Sequence, residues 1–355
     1  MEAIRTLEDA VALSARDELI TMKYGAGGRA MRSLIQEVLH DGLLTADAPG
    51  EITLRAMDDG AALKIGHQWL VMTTDSHVVQ PLFFPGGDIG RLAVSGTVND
   101  LAMMGATEVL ALTCAVIIEE GFSRAELARI QRSIQRACAD AGARIVTGDT
   151  KVMGKGELDG IVINTTGVAL TDCVVPDSGL RAGDRLIVTG SIGDHGMAVM
   201  AQRLGLAIEG TLASDVNPIN ALVRAALDAA PGAVIAMKDP TRGGVASALH
   251  EMAEKSGVGI VIDELSLPVA EAVRAAVELL GIDPLHVANE GKAVIGVRPD
   301  AAEAVLTAIR RHPLGVNAAI IGECTSQRAG AVILDTGFGR RLVTEPEGEP
   351  LPRIC

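Results

Sequence analysis

The chain has 355 residues, enough for two globular domains, and is 48% apolar without the run of roughly 18 uninterrupted apolar residues that a bilayer span needs. Aromatic residues make up only 2%, and Lys plus Arg (31) fall short of Asp plus Glu (45), for a net charge of −14. Membrane insertion and nucleic-acid binding are excluded on those grounds, and a phosphate ligand would need backbone amides, a few local cations or a metal to hold it.

The opening MEAIRTLEDA lacks a basic stretch followed by an apolar core, so no secretory or transit signal is expected. GAGGRA at Gly25 formally matches a dinucleotide fingerprint, but the preceding ITMKY is a poor buried strand and no βαβ unit encloses it. Its glycines instead offer backbone amides ahead of the amphipathic MRSLIQEVL, which suits an anion or simply a turn before a helix. Strands are predicted near Trp69 to Thr74, Glu108 to Ile118, Arg144 to Thr147 and Gly160 to Ala169, with a helix from Arg124 to Ala141 capped by Ser123. The polar PDSGLRAGD after Thr171 reads as a linker or a surface turn.

The second half repeats the style, with strands near Arg185 to Thr189, Ala233 to Met237, Gly259 to Ile262, Ala293 to Val297 and Ala318 to Gly322, and helices between them. An α/β (α+β) architecture follows. Boundaries are placed at 1–45 for a glycine-turn and helix segment, 46–172 and 180–343 for two domains, and 344–355 for a proline-rich tail, EPEGEPLPRIC closing the chain. Such a tail can stretch about 3.1 Å per residue. Its last residue, Cys355, is a thiol that packing does not explain and that a carrier arm would need. Cys114, Cys138, Cys173 and Cys324 are scattered, with no CxxC, so free thiols in a reducing cytoplasm are expected.

The chemistry concentrates in a recurrence: apolar strand, then aspartate, then turn. It appears at Asp75 (VMTTD), Asp149 (IVTGD) and Asp239 (VIAMKD), with Asp58 and Asp59 in RAMDDGA and Asp100 in VNDLA of similar type. One such aspartate is most simply a cap or turn former; repetition points to a hard cation shared with phosphates. GDTKVMGK is not a P-loop, having five residues between its glycines and Gly156 where Ser or Thr would bind magnesium. Lys151 could pair with phosphate or act as a base, DPTRGG suits phosphate, and Glu290 in ANEGK could be a general base or a surface acid. His195 in GDHG reads as a structural hydrogen-bonding residue.

GAGGRAM, TTDSHVVQPLFFPGGDIGRLAVSGTVNDLAMMGA, GDTKV, GDHG, DPTRGGV, ANEGK, HPLG and the closing PRIC together span almost the whole chain. They resemble the HypE family of hydrogenase maturation factors, within the ATP-binding superfamily of aminoimidazole ribonucleotide synthetase and selenophosphate synthetase. Tyr24 departs from the histidine expected there. The resemblance implies the two-domain aminoimidazole ribonucleotide synthetase-like fold, with first domains pairing into a β-barrel in a homodimer, and a flexible C-terminal tail. It implies ATP-dependent dehydration of an S-carbamoyl group on Cys355 to a thiocyanate, supplying cyanide for the iron of [NiFe] hydrogenases. The carbamoyltransferase HypF would be the donor, and HypC with HypD the acceptor.

On that reading Cys355, Lys151 and Glu290 are catalytic. ATP falls to Gly27, Gly28, Asp58, Asp75, Asn99, Asp100, Asp149, Thr150, Asp239 and Arg242, and Mg2+ to Asp58, Asp75, Asp100 and Asp149. Two rival readings use the same residues differently. One is a small-molecule kinase or amidine-forming ATP-dependent synthetase of the superfamily; the other is a non-enzymatic thiol carrier or scaffold.

Overall fold

The computed structural model describes residues 19–25, 27–40, 43, 47–346 and 354. The glycine turn leads into α1 (Gly28–Leu34), which runs on as a wider turn over Ile35–Leu39. The first sheet holds β1 (Ala61–Ile65), β2 (Gln68–His77), β5 (Val109–Glu119), β6 (Ile145–Met153) and β7 (Ile161–Thr171) in the order β1-β2-β7-β5-β6. A small hairpin of β3 (Phe83–Phe84) and β4 (Gly87–Asp88) precedes the helix α2 (Ile89–Met103). The predicted helix forms as α3 (Arg124–Ala141), with Ser123 Oγ accepting from the Glu126 amide at 3.4 Å. It is the crossover that lets β5 and β6 run parallel.

Among the described residues only one face of this sheet is covered. Along β7 every second residue from Ile161 to Ala169 is buried under α2, the period-two signature of a half-buried strand. The opposite face is open. Met72, Leu110, Val146, Val152 and Leu170 are exposed large apolar residues on its strands, and β6 forms an unpaired edge.

The second sheet is built of β8 (Arg185–Val188), β9 (Val234–Lys238), β10 (Gly259–Asp263), β11 (Val294–Val297), β12 (Ala319–Thr325), β13 (Val332–Asp335) and β14 (Arg340–Leu342), in the order β14-β13-β10-β12-β8-β11-β9. Five helices accompany it: α4 (Asp194–Leu204), α5 (Asn220–Ala229), α6 (Gly244–Ser256), α7 (Glu271–Leu280) and α8 (Ala302–Arg311). The two halves share a core, because Ala102 and Met103 at the end of α2 pack with Ile219, Leu222 and Met237. Among the described residues no helix is long and apolar enough to cross a membrane.

Two differences from the sequence expectation matter for the site. Helix α2 carries no amphipathic stripe, since thirteen of its residues are buried, and it contains Gly90, Gly96 and β-branched residues that disfavour helix. Tertiary burial makes it a helix all the same, started by Asp88, whose carboxylate accepts from the Gly90 and Arg91 amides at 2.9 and 3.0 Å. Asp100 is therefore a helix residue, not a strand-end one. The strand expected to stop at Thr147 runs through GDTKV to Met153, because pairing with β5 continues to Glu119, so Asp149, Thr150 and Lys151 lie in mid-strand.

Candidate functional site

Three glycine or acidic segments meet between the halves. Gly27 has φ +76°, which L side chains rarely adopt, and a Cβ there would stand 3.0 Å from the Arg242 carbonyl oxygen, so only glycine lets this turn sit on DPTRGG. The space they enclose with the open sheet face is a cleft of about 840 Å3. It is lined by Gly27, Gly28, Asp58, Asp75, Asp100, Asp239, Arg242 and Glu290 among others, with Met72, Thr74 and Ser76 where it opens onto β2.

Each carboxylate has a separate support. Asp58 accepts from the Asp59 and Asp177 amides at 2.9 and 3.1 Å, which fixes it in the turn before β1. The Thr73 hydroxyl lies 2.9 Å from Asp100 Oδ2 and 3.0 Å from the Asp59 carbonyl. The hydroxyl donates to the Asp100 carboxylate, a bond that by itself favours the charged form. Burial, reinforced by the charges of Asp239, Asp75 and Asp59, nevertheless holds Asp100 well above the ordinary carboxylate range. Burial likewise pushes Asp58 up to about 7, with Asp177 and Asp59 adding to it, and Asp239 up to about 8, with Asp59 adding most.

Beneath the acids sits a buried cation that sequence reasoning missed. Lys238 Nζ is 2.5 Å from Asp59 Oδ1, 3.3 Å from Glu251 Oε2 and 3.5 Å from Asp177 Oδ2. Burial alone would discharge it, but these three carboxylates hold its pKa well above the usual lysine value. Lys255 adds a further pair to Asp177. The signal was there: Lys238 is the one charge in β9, directly before Asp239. Arg32, also missed, makes a two-pronged pair with Glu345 at 2.8 and 3.1 Å and reaches Glu251 at 3.1 Å.

Magnesium fits this set. Among the described residues no group of three or more His, Cys, Asp and Glu could hold a metal unaided. A hard cation that shares one or two carboxylates with phosphate oxygens requires no such cage. Asp59 Oδ2 is buried with no hydrogen-bond partner, and burial together with the neighbouring carboxylates raises Asp58 and Asp239, a balance that a bound cation would relieve. Of the aspartates expected to bind it, Asp58, Asp75 and Asp100 line the cleft and Asp149 does not.

A pH dependence follows from those directions. An aspartate whose folded pKa lies above its ordinary 3.8 contributes stability that is complete below about 4 and is lost as pH rises through the folded value, about 7 for Asp58 and about 8 for Asp239. The nucleotide-free protein should therefore melt at progressively lower temperature from about pH 4 to about pH 8 and level off above that. Millimolar Mg2+ should flatten the slope by replacing protons as counter-charge. Thermal melts at constant ionic strength check this; a slope indifferent to Mg2+ contradicts it.

Of the remaining described sequence candidates, Glu290 alone lines the cleft. Asn99 is buried and does not line the cleft; its amide donates to the Glu290 and Asn217 carbonyls at 3.0 and 3.1 Å and accepts from the Ile219 amide at 2.8 Å, so it pins the Glu290 loop. Glu290 is buried at the cleft wall, its own amide donating to Asp215 at 3.1 Å. Asp149, Thr150 and Lys151 are exposed on β6 and do not line the cleft. Cys355 lies outside the described residues. The tail was expected to be unpacked, yet its described parts are held: Glu345 is clamped by Arg32, and Ile354 is 2% exposed.

Comparison with known proteins bears on all of this. The model for the AIR synthase related protein N-terminal domain matches residues 57–171, and that for the C-terminal domain matches residues 181–335. The chain is 48% identical over 339 residues to a putative hydrogenase expression/formation protein of Methanocaldococcus jannaschii, covering 95% of this chain and 99% of that one. It is 46% identical over 351 residues to the carbamoyl dehydratase HypE of Bradyrhizobium diazoefficiens, covering 97% and 98%. Among solved structures, HypE in a HypE–HypF complex superposes with a TM-score of 0.81 at 46% identity, covering 88% of this chain and 100% of that one. HypE in complex with ATP gives 0.78 at 39% identity, covering 95% and 100%.

Proposed function

This chain belongs to the HypE family of AIR synthase related proteins, and from that premise we propose that it is an ATP-dependent carbamoyl dehydratase of hydrogenase maturation, working on its own C-terminal cysteine. The observation that carries the reading is the single cleft in which Gly27, Gly28, Arg242, five aspartates and Glu290 converge.

The chemistry requires such a cleft. A carboxamide oxygen leaves poorly, so the γ-phosphoryl group of ATP is transferred to the oxygen of the S-carbamoyl group, releasing ADP. Departure of phosphate with the two nitrogen-bound protons then leaves a thiocyanate. The amides at Gly27 and Gly28 and the Arg242 guanidinium hold phosphate oxygens. Glu290 takes a proton from the carboxamide nitrogen. Mg2+, shared between one or two of the cleft carboxylates Asp58, Asp75 and Asp100 and the phosphate oxygens, would neutralise charge on the triphosphate. Walls that exclude water keep the activated carbamoyl group from hydrolysing. HypF supplies the carbamoyl group, as the HypE–HypF complex of a relative supports; HypC and HypD receive the cyanide.

The active unit is a homodimer. The cleft opens onto the uncovered face of the first sheet, next to Met72, Thr74 and Ser76, and that face carries exposed apolar residues beside the free edge β6. Two such sheets closing into a barrel bury both faces and bring Asp149, Thr150 and Lys151 of one subunit to the cleft of the other. Mixed dimers test this. Lys151→Met and Glu290→Gln subunits, each inactive alone, should together recover roughly a quarter of wild-type turnover, since half the dimers are mixed and each has one intact site. No recovery in dimers verified as mixed would place Lys151 in its own subunit's site.

The reaction itself is read by intact-mass spectrometry after incubation with HypF, carbamoyl phosphate and ATP. One carbamoyl group should be gained and one water then lost. A carbamoyl adduct stable to Mg-ATP would overturn the proposal.

A further inference from the structure

The sequence TTDSH ends β2, and the two-residue period of a strand turns Thr73, Asp75 and His77 to one face while Met72, Thr74 and Ser76 take the other. Thr73 meets Asp100 of α2, so the first face is the one that α2 covers. His77 lies deeper there than Asp75. Its side chain is 2% exposed, against 32% for the Asp75 carboxylate at the cleft wall.

One oxygen of Asp75 is already held. Oδ1 accepts from the Ser76 amide at 2.7 Å, and the Asp75 carbonyl accepts from Asn164 Nδ2 on β7 at 2.9 Å. Oδ2 is 3.4 Å from His77 Nε2, yet the two are not aligned for a hydrogen bond, and that nitrogen is buried with no partner among the described residues. A buried polar atom left without a bond calls for a partner that arrives or a movement that supplies one.

Helix α2 makes room for the pair. Glycine disfavours the middle of a helix, but a Cβ at Gly96 would stand 2.7 Å from His77 Cε1 and 3.2 Å from Asp75 Oδ2, wedged against ring and acid together. The fold thus keeps a gap in a buried helix where the imidazole and the carboxylate face each other. A carboxylate can only accept, so the ring serves Asp75 with its proton on Nε2. Groups that hydrogen-bond a metal's carboxylate ligands orient them, and losing such a group typically costs about 10- to 100-fold in metal affinity.

We propose that His77 is a positioning residue for Asp75: its Nε2–H, in the space left by Gly96, closes on Oδ2 when phosphate-bound Mg2+ enters the cleft, and so holds the carboxylate toward the cation. The inference rests on the magnesium and ATP reading proposed above. His77 does not line the cleft, so its loss should tell on binding of the nucleotide with magnesium and not on binding of the nucleotide alone.

The test is calorimetric titration of the full-length, uncarbamoylated chain with Mg-ATP and with ATP in EDTA, which requires no turnover. His77→Ala should bind Mg-ATP about 10- to 100-fold more weakly with the affinity for ATP in EDTA unchanged, and His77→Gln, which keeps an N–H donor, should recover most of the loss. Wild-type affinity for Mg-ATP in His77→Ala overturns the proposal. So does an equal loss in the alanine and glutamine variants, or a loss just as large in EDTA, since either would mean that packing of the ring and not its donor matters. Should His77→Ala fail to fold, His77→Phe decides. It keeps a ring without the donor, and the same magnesium-specific loss supports the role; unchanged binding of Mg-ATP overturns it. A wild-type chain that binds Mg-ATP no more tightly than ATP in EDTA would sink the magnesium reading itself, and the support of Asp75 with it.

Discussion

Cys355→Ala should still bind ATP and yet form no thiocyanate, a fall of about 10⁴-fold or more, as expected when an essential nucleophile is deleted. The other thiols are poor substitutes. Burial raises the pKa of Cys114 and Cys138, and with the charges of Asp184 and Glu323 pushes Cys324 up to about 12, so little thiolate forms at neutral pH. Cys173 is exposed but does not line the cleft. Intact mass of the variant after incubation with HypF, carbamoyl phosphate and ATP should show neither the carbamoyl gain nor the later loss of water. Normal production of cyanide ligands by Cys355→Ala would end the carrier mechanism.

Glu290→Gln should slow dehydration by about 10²- to 10⁴-fold, the usual contribution of a positioned general base, while leaving ATP affinity intact. The substitution is clean for a structural reason. The backbone of Glu290 helps to hold the loop, its amide to Asp215 and its carbonyl from Asn99, and glutamine keeps both as well as the side-chain shape while losing the basic oxygen. Single-turnover kinetics on the carbamoylated protein separate the outcomes: a variant that hydrolyses ATP without losing water from the carbamoyl group supports proton removal as its task. A variant as fast as wild type would move the base elsewhere.

These two residues illustrate how the site could be read at all. Each sits in a short segment, PRIC or ANEGK, whose residue types carry chemistry independently of their neighbours in space. The glycine turns were legible for a similar reason, since Gly27 and Gly243 adopt φ of +76° and +77°, values that glycine adopts without strain. Lys238 and Arg32 were not legible. Their partners Asp59 and Glu345 lie 179 and 313 residues away in sequence, and a lysine in a strand or an arginine on a helix looks like any solvated cation until folding supplies the acids.

The sequence by itself determined the α/β class, the strands whose alternation shows in β7, the capped helix α3 and the glycine, aspartate and cysteine segments that carry the resemblance. Those follow from local periodicity, capping and backbone freedom, which neighbouring residues encode. Tertiary structure alone decided that α2 is a helix and so gives Asp100 to the cleft. It also decided that Lys151 is exposed and does not line the cleft, and that the His195 ring bonds the Ile354 carbonyl. Each of these depends on burial and on pairing between distant segments, and no local pattern records which distant segment will supply the partner.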